Sequence, residues 1–458
     1  MPLLHSLPIE SVDLEAQGLA HHDGKVVFVE NALLGEVVDV EVTRNKPSYA
    51  KGRAVAWQRE SAQRVDPKCR HYGVCGGCSM QHIDHAAQLA IKQRVLEDNL
   101  WHIGRLRPES LLPPLDGPSW GYRTRARLTA RWVDKKGGML LGFHERRSSY
   151  VAVMDSCEIL HPRVSQMLPA LKELLGSLTI ARRLPQAEVA VGDPEPDEDV
   201  TPEQRRQSPV IVWVLRILEP LTSEDENRLR VFADDWQVQF WLQPGGPQTA
   251  TLFYPPNAPA LAYNLDEFGL RMPYSPVDFT QVNPSINQLM VKRAVDLLEC
   301  EPTDRAADFF CGLGNFTCAI ARSATNVVGV EGSVALLERA RINADRHGLA
   351  ARTAFLTSNL FEVDQQWLAD QGRFDRMLWD PPREGAQALS QALSALAQAG
   401  RLELLPTRLV YVSCNPATLA RDAAILVHEG GFRLRQAGVI NMFPHTAHVE
   451  SIAVFSRN

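Results

Sequence analysis

From about Ser285 onward, short apolar runs alternate with helical runs. The strand-like runs are RAADFF, TNVVGVE, RTAFLT, FDRMLWD and TRLVYVS, and the helical runs cover 315–323, 333–347, 384–400 and 416–429. Strands that alternate with helices connect through right-handed crossovers and build a parallel sheet covered on both faces. The pattern therefore predicts a doubly wound α/β domain over residues 271–458.

The rest of the chain has other patterns. Residues 1–60 contain short Val-rich segments separated by turns, which predicts a small β-barrel of the oligonucleotide-binding kind. Residues 61–270 predict a central α+β domain, with a helix from Asp84 to Leu100 and antiparallel strands over 120–160. The segment 185–204 has seven acidic residues and no basic ones, and it predicts a flexible insertion.

Composition limits the partners and the location. Lys and Arg number 48 against 54 Asp and Glu, for a net charge of -6. This balance excludes a uniformly basic nucleic-acid binder but allows a local basic face. No run approaches the ~18 consecutive apolar residues of a membrane helix, and the first ten residues lack a signal-peptide pattern. We therefore expect a cytoplasmic protein with no membrane contact, in which clustered cysteines favour metal binding or catalysis over disulfides.

Three cysteines lie within ten residues of one another, at Cys69, Cys75 and Cys78, and Gly76 and Gly77 allow the backbone to turn tightly there. Cys157 is the one other cysteine that precedes the α/β domain. Zinc and iron–sulfur clusters both accept four thiolates, and the spacing alone does not separate them. The cluster therefore predicts a metal centre of one of these two kinds.

A glycine-containing loop follows the first strand of the α/β domain, in the run DFFCGLGNF from Asp308 to Phe316. Glu331 ends the next strand, 23 residues after Asp308, where a carboxylate can accept hydrogen bonds from ribose hydroxyls. The third glycine of a dinucleotide fingerprint is missing, which favours S-adenosylmethionine over a dinucleotide. A later strand ends in Asp380-Pro-Pro, at the edge where such sheets bind ligands.

Cys414 ends the following predicted strand, on the same edge as Asp380. A helix begins directly after it, and the helix dipole is expected to lower the pKa of the thiol and favour the thiolate. Base candidates near the C-terminal end are His445, His448 and Glu450. A partly buried carboxylate at Glu450 is expected to have a raised pKa, which suits proton abstraction.

Five motifs occur in a fixed order: FTQVN, DFFCGLGNF, DPPREG, SCNPATLARD and FPHTAHVE. With them the chain resembles the bacterial RNA uracil-5-methyltransferases over nearly its whole length, and within them the branch that carries an iron–sulfur cluster and acts on 23S ribosomal RNA. The resemblance implies a TRAM domain at 1–60, a central domain with a [4Fe–4S] cluster at 61–270, and a class I, Rossmann-like methyltransferase domain at 271–458. It implies that the cluster is held by Cys69, Cys75, Cys78 and Cys157.

The resemblance also assigns roles in catalysis. Cys414 is implied as the nucleophile that adds to carbon 6 of uracil, and Glu450 as the base that removes the carbon-5 proton. The residues implied to contact S-adenosylmethionine are Gln281, Phe310, Asn315, Glu331, Asn359 and Asp380. One position departs from the family, which commonly has Asp where this chain has Asn441.

RNA contact is expected at the run YRTRARLTARW, in which four arginines share one parity and would project from one face of a strand. These are Arg123, Arg125, Arg127 and Arg131. The expected partner is 23S ribosomal RNA with a single-stranded or flipped-out uridine, bound by a monomer. Alternatives are the same chemistry on transfer RNA or another ribosomal uridine, an amino-group methyltransferase without a thiol, and a non-catalytic RNA-binding assembly factor.

Overall fold

The structure is a computed structural model that describes residues 2–13, 15–194 and 208–457. Its strands are β1 (Leu3–Pro8), β2 (Ser11–Val12), β3 (Gly18–His22), β4 (Lys25–Glu30), β5 (Val37–Asn45), β6 (Tyr49–Arg59), β7 (Ser110–Leu111), β8 (Arg125–Val133), β9 (Gly138–Gly142), β10 (Gln186–Gly192), β11 (Val210–Arg216), β12 (Gln239–Gln243), β13 (Thr251–Tyr254), β14 (Ala262–Leu265), β15 (Leu270–Pro273), β16 (Arg305–Phe309), β17 (Asn326–Glu331), β18 (Thr353–Thr357), β19 (Arg376–Trp379), β20 (Arg408–Ser413), β21 (Arg433–Ile440) and β22 (Glu450–Ser456). The α-helices are α1 (His85–His102), α2 (Pro162–Ser177), α3 (Ser223–Trp236), α4 (Pro284–Leu298), α5 (Thr317–Ile320), α6 (Val334–Arg346), α7 (Gln365–Asp370), α8 (Gln387–Gln398) and α9 (Pro416–His428). None of the helices in the described residues is long and apolar enough to cross a bilayer.

The N-terminal strands form one six-stranded sheet in the order β1-β5-β6-β4-β3-β2. Alternate residues of β4 and β5 are buried, so that one face of the sheet supplies a small core that includes Val27, Val29, Val38 and Val40. Buried Glu36 anchors this unit to the next segment, because its carboxylate accepts from Arg64 Nε at 2.7 Å. The six strands fit the predicted barrel-type N-terminal unit.

The central sheet has the order β13-β12-β11-β10-β8-β9, and α2 and α3 belong to its core. β10 occupies Gln186–Gly192 and pairs on both sides, with β8 and with β11. The predicted flexible insertion 185–204 is therefore wrong over its first part, because alternating apolar residues such as Ala187 and Val189 are buried in the sheet. Residues 195–204 of that segment lie outside the described residues.

The C-terminal sheet has the order β18-β17-β16-β19-β20-β22-β21-β7. The five strands predicted from the alternation are β16 to β20, and they run parallel to one another, as predicted. The sheet is nevertheless mixed, because β22 runs antiparallel to both β20 and β21. The sequence pattern did not predict this hairpin, whose strands follow α9 without an intervening helix.

Two elements from the central segment 61–270 belong physically to the C-terminal sheet. β7 pairs in parallel with β21 and completes the sheet. The apolar face of α1 packs into the same core as α9 and β21 through residues such as Val95, Leu96 and Leu100. Asp84 caps α1 by accepting from the backbone amides of Ala86 and Ala87. Residues of the predicted central domain therefore complete the C-terminal domain, although they lie far from it in the sequence.

Candidate active site

The carboxyl ends of β16, β19 and β20 lie side by side at one edge of the C-terminal sheet. The strand register pairs Phe309 with Trp379, and Trp379 with Tyr411. The residues that directly follow these strands therefore meet at this edge, and they include Asp380 and Cys414. Ligands of open α/β sheets bind at this edge.

The loop after β16 makes a sharp turn over this edge. Phe310 has a φ of 66°, and Gly312 and Gly314 have φ values of 56° and 92°. Positive φ is unstrained for glycine but costs energy for phenylalanine, and such strain is concentrated at functional sites. Glu331, at the end of β17, accepts from the backbone amide of Gly312 at 3.2 Å and so fixes the turn beside its own carboxylate.

The antiparallel pairing of β20 with β22 brings Cys414 and Glu450 together. Ser413 pairs with Ser451, so the next residue pair outward is Cys414 and Glu450. Asn415 caps α9 by accepting from the Ala417 amide at 3.1 Å, and its Nδ2 donates to the Arg383 carbonyl at 3.2 Å. The turn that carries Cys414 is therefore joined to the loop that follows Asp380.

A cavity of about 510 Å³ opens at this edge, and we call it the main cavity. The structure brings all of the predicted catalytic and cofactor residues together there, since its lining includes Gln281, Phe310, Asn315, Glu331, Asn359, Asp380, Cys414 and Glu450. Some of these side chains are held by neighbours. Asn315 Oδ1, for example, accepts from the Tyr263 hydroxyl at 2.9 Å.

The predicted low pKa of the Cys414 thiol is wrong for the protein alone. Burial of the half-buried thiol, together with the charges of Glu450 and Asp380, raises its pKa to about 12, against a smaller lowering by Arg383. Burial, with the charges of two nearby carboxyl groups added to it, outweighs the lowering that the helix dipole was expected to cause.

The predicted raised pKa of Glu450 is confirmed. The residue is 3% exposed, and burial raises the pKa of its carboxyl to about 7 although the positive charge of Arg383 opposes this. Burial and the nearby Glu450 also raise the pKa of Asp380 well above its usual value. A carboxyl group that titrates near neutrality can accept a proton at physiological pH.

Sequence reasoning missed several residues of the main cavity, among them Arg383, Phe279 and Phe361. Phe279 is 74% exposed and Phe361 is 49% exposed, which is unusual for phenylalanine and marks the cavity mouth. Phe279 belongs to the FTQVN motif, which gave a signal in the sequence, whereas only its exposure reveals Phe361. Arg383 had a signal, since it directly follows Asp380-Pro-Pro.

The two histidines proposed as base candidates differ in position. His448 lines the main cavity and also two neighbouring cavities, of about 240 Å³ and about 600 Å³. His445 is not among the lining residues of the main cavity, and its ring stacks on Trp120 with a centroid distance of 3.8 Å. The smaller neighbour is also lined by Cys414, so the thiol lies between two cavities.

Cys69, Cys75, Cys78 and Cys157 line one cavity of about 20 Å³ that we call the cysteine cavity. Within the described ranges, no group of three or more His, Cys, Asp or Glu side chains is arranged to hold a metal ion. Burial, together with the charges of the other three cysteines, raises the pKa of Cys78 to about 12. The four thiols are thus near enough to influence one another.

The four arginines expected to contact RNA differ in their exposure and in their hydrogen-bond partners. Arg125, Arg127 and Arg131 alternate with buried Ala126, Leu128 and Ala130, so β8 does present them on one face. The Arg125 guanidinium, however, donates to the carbonyls of Pro276 and Asp278 and is occupied within the protein. Arg127 pairs with Glu188 at 2.9 Å, Arg123 precedes the strand, and Arg131 is exposed.

Comparison with known proteins agrees with this geometry. Residues 268–458 match the tRNA (Uracil-5-)-methyltransferase family, and residues 7–55 match the TRAM domain. A solved tRNA (uracil-54, C5)-methyltransferase of Pyrococcus abyssi, in complex with S-adenosyl-L-homocysteine, superposes with a TM-score of 0.68 at 21% identity over 99% of this chain and 100% of that one. The class is therefore a TRAM domain joined to an S-adenosylmethionine-dependent methyltransferase fold.

Curated relatives identify the family within this class. The chain is 59% identical to the 23S rRNA (uracil(1939)-C(5))-methyltransferase RlmD of Bordetella bronchiseptica, over 98% of this chain and 92% of that one. It is 57% identical to the protein of the same name from Cupriavidus necator, over 98% of this chain and 100% of the relative. The chain belongs to the RlmD family of RNA uracil-C5-methyltransferases, which confirms the resemblance seen in the motifs.

Proposed function

We propose that this protein methylates carbon 5 of a uridine in 23S ribosomal RNA, with Cys414 as nucleophile, Glu450 as base and S-adenosylmethionine as methyl donor. The observation that carries the proposal is the main cavity, where the thiol, the carboxyl of Glu450 and the candidate cofactor residues lie together. The substrate follows the name of relatives that are 56–59% identical to this chain. We propose that it acts on this RNA in the cytoplasm and as a monomer.

The thiol solves a problem of reactivity. Carbon 5 of uracil is a weak nucleophile, and addition of the Cys414 sulfur to carbon 6 turns the ring into an enolate whose carbon 5 can attack a methyl group. After methyl transfer, carbon 5 still carries its proton. Glu450 takes this proton, the bond between sulfur and carbon 6 breaks, and the thiolate leaves.

Formation of the thiolate is the demanding step in the protein alone, given the pKa of about 12 at Cys414. S-adenosylmethionine supplies an electrophilic methyl group on a positively charged sulfur, and a positive charge in the cavity lowers the pKa of a nearby thiol. Arg383 acts in the same direction. We therefore expect the nucleophile to become competent when the main cavity is filled.

The cofactor residues have complementary chemistry. Glu331 is placed to accept hydrogen bonds from ribose hydroxyls at the end of β17. Phe310 and Phe361 lie with ring centroids 5.6 Å apart at the cavity and offer an apolar surface to a purine ring. Gln281, Asn315, Asn359 and Asp380 supply polar groups for the amino-acid part of the donor and for the uracil ring.

The cysteine cavity is proposed to hold a [4Fe–4S] cluster through Cys69, Cys75, Cys78 and Cys157. The donor set fits this group, because four cysteine thiols line one cavity and [4Fe–4S] clusters are held by cysteine thiolates. Zinc also accepts four thiolates, and the choice of the cluster follows the family resemblance. A cluster held there would crosslink the cysteine-bearing segment to the segment around Cys157, and methyl transfer consumes no electron.

RNA must deliver a flipped or single-stranded uridine, because carbon 6 of a stacked base cannot be reached by a sulfur atom. We propose that the TRAM domain and the outer face of β8 hold the flanking RNA. Arg131 and Arg127 are the arginines of this face with an exposed side chain, whereas Arg125 acts within the protein. Arg123 lies beside the strand and donates to the Arg125 carbonyl at 2.8 Å.

The test is methylation of purified RNA with labelled S-adenosylmethionine, followed by mass mapping of the product. We expect 5-methyluridine at one position of unmodified 23S ribosomal RNA and none in transfer RNA. Product in transfer RNA alone would overturn the choice of substrate. Wild-type protein that is inactive on every RNA would instead favour an assembly factor.

A further inference from the structure

The loop that directly precedes Glu450 is fixed by residues far away in the chain. We call residues 441–449 the base loop, because Glu450 follows it directly. His445 within it has a φ of 64°, a strained conformation for a residue other than glycine, so the loop needs outside support to keep its shape. Its Phe443 and His448 line the main cavity, which means that a shift of the loop also changes the cavity.

The first support comes from the segment that follows the cysteine cavity. The backbone amides of Ser79 and Met80 both donate to the His445 carbonyl, at 2.9 Å and 3.0 Å. The Ser79 hydroxyl oxygen accepts from the Ala447 amide at 3.1 Å. Ser79 directly follows Cys78, and its own carbonyl accepts from the Tyr72 hydroxyl at 2.7 Å. The cysteine-bearing segment and the base loop are thus bonded to each other.

The second support comes from α1. Buried Lys92 donates from Nζ to Asn441 Oδ1 and to the Phe443 carbonyl, both at 2.8 Å. Gln88 accepts from the His445 amide at 2.9 Å. Asn441, which stands where the family commonly has Asp, donates through Nδ2 to the Asp116 carboxylate at 2.9 Å. The side-chain amide of Asn441 therefore links Lys92 to Asp116.

We propose that Ser79 is a positioning residue for the base loop, so that the cysteine-bearing segment sets the place of Glu450 in the reaction. This inference rests on the proposed function, in which Glu450 acts last. Cys414 follows β20, and the candidate cofactor residues Phe310 and Glu331 lie at the ends of β16 and β17, so the backbone of the base loop leads into Glu450 and into none of these residues. A displaced base loop therefore slows removal of the carbon-5 proton more than it slows addition or methyl transfer.

The prediction that follows is specific to one step. In Ser79→Ala the covalent adduct between Cys414 and the methylated RNA should persist, because the step that releases it is slowed. We expect turnover to fall about 10-fold with KM changed less than about twofold, as for a misplacement of well under 1 Å. The fraction of protein trapped as an adduct that survives denaturing electrophoresis should rise at least about fivefold.

The experiment compares five iron-loaded full-length proteins on the same RNA: wild type, Ser79→Ala, Lys92→Met, Glu450→Gln and Ser177→Ala. Lys92→Met removes the support on the α1 side and should trap the same adduct, which keeps the proposal testable if Ser79→Ala folds poorly. Ser177→Ala is the matched control, since it removes a hydroxyl that bonds to a backbone group outside the base loop, donating to the Leu174 carbonyl at 2.8 Å.

The possible results distinguish the positioning role of Ser79 from the catalytic role of Glu450. Adduct that accumulates in Glu450→Gln but in neither Ser79→Ala nor Lys92→Met would overturn the positioning role. Failure of Glu450→Gln to accumulate adduct would overturn the role of Glu450 itself. Iron content is measured on the same samples, and we expect Ser79→Ala to match the wild type. Loss of iron from Ser79→Ala would contradict the proposal, because the serine would then act on the cysteine cavity.

Discussion

Cysteines occupy two contrasting environments in this protein. The main cavity is about 510 Å³, and its Cys414 thiol lies beside two carboxyl groups whose pKa values are raised. The cysteine cavity is about 20 Å³, and its four thiols lie among apolar groups such as Phe143 and Met154. Glu158 also lines it, but its carboxylate lies 3.5 Å from the Lys68 ammonium.

The contrast teaches what a raised thiol pKa means in each place. Burial raises the pKa of both Cys414 and Cys78 to about 12. At Cys414 the cavity has room for a substrate and is lined by Glu450, which titrates near neutrality, so this thiol can take part in a reaction. The cavity at Cys78 is too small for a uracil ring, and the one carboxylate that lines it, Glu158, is paired with Lys68, so we expect no catalytic role for this thiol.

The difference between the two cavities predicts its largest effect at Cys414, the proposed nucleophile. Cys414→Ala should reduce methyl transfer by at least about 10⁴-fold and remove the covalent adduct, because alanine cannot add to the ring. Transfer of labelled methyl groups to RNA measures this. Cys300→Ala is the control, since Cys300 follows α4 and is absent from the lining of both cavities. Full activity of Cys414→Ala would show that no covalent step exists.

The next effect is expected at the base. Glu450→Gln should lower turnover by about 10²-fold to 10³-fold, because glutamine cannot accept the proton at the last step. Addition and methyl transfer remain possible, so the adduct should accumulate on ordinary RNA. Denaturing electrophoresis measures it. A variant that turns over like the wild type would mean that another group takes the proton.

Changing one of the cysteines that we propose as cluster ligands should have a smaller and different effect. Cys157→Ser should lose iron and lower activity about 10-fold through weaker RNA binding and a lower melting temperature, since a cluster that stabilises a fold contributes to its stability. Iron analysis and calorimetry measure this, with Cys300→Ser as control. If Cys157→Ser kept its iron and its melting temperature, the two environments would not differ in the way we describe.

The pH dependence sharpens the comparison further. Glu450 must be deprotonated to act, and its pKa is about 7. The release of product should therefore rise about 10-fold per pH unit below 7 and level off above it. Single-turnover decay of the adduct as a function of pH measures this. A rate that is independent of pH between 5 and 7 would remove Glu450 from this step.

The smallest effect is expected on the surface. Arg131→Ala should weaken RNA binding a fewfold and reduce the slope of log affinity against log salt by about 1, as for one lost phosphate contact. Arg125→Met should instead lower stability, because the carbonyls of Pro276 and Asp278 lose their donor. Binding titrations at several salt concentrations measure the first effect. An unchanged slope for Arg131→Ala would exclude it from the RNA contact.

Much of the catalytic sheet was predictable, because the strands β16 to β20 are continuous apolar runs between helices. The lining of the main cavity was also predictable, since strand ends such as Asp380 and Cys414 must meet at one edge. The hairpin of β21 and β22 was missed because antiparallel pairing leaves no helix between strands. β10 was missed because its acidic neighbours hid its alternating apolar residues.

The pKa of Cys414 shows a different limit. The sequence indicates the helix that follows the thiol but not the carboxyl groups that face it, because Glu450 reaches it only through the register of β20 with β22. In the same way, nothing in the sequence connects Ser79 with Ala447. Local signals give the elements, whereas contacts between residues hundreds of positions apart arise only from packing.

The pairing of β7 with β21 also bears on how the protein is made. Ser110 lies opposite Gln436, so the C-terminal sheet cannot be completed until almost the entire chain has left the ribosome. At about 5–20 residues per second, α1 and β7 wait tens of seconds for their partners, with the apolar face of α1 uncovered. A fragment that begins at residue 271 would never receive them, and the edge of β21 would stay open to other chains. The N-terminal half is thus needed to complete the C-terminal sheet.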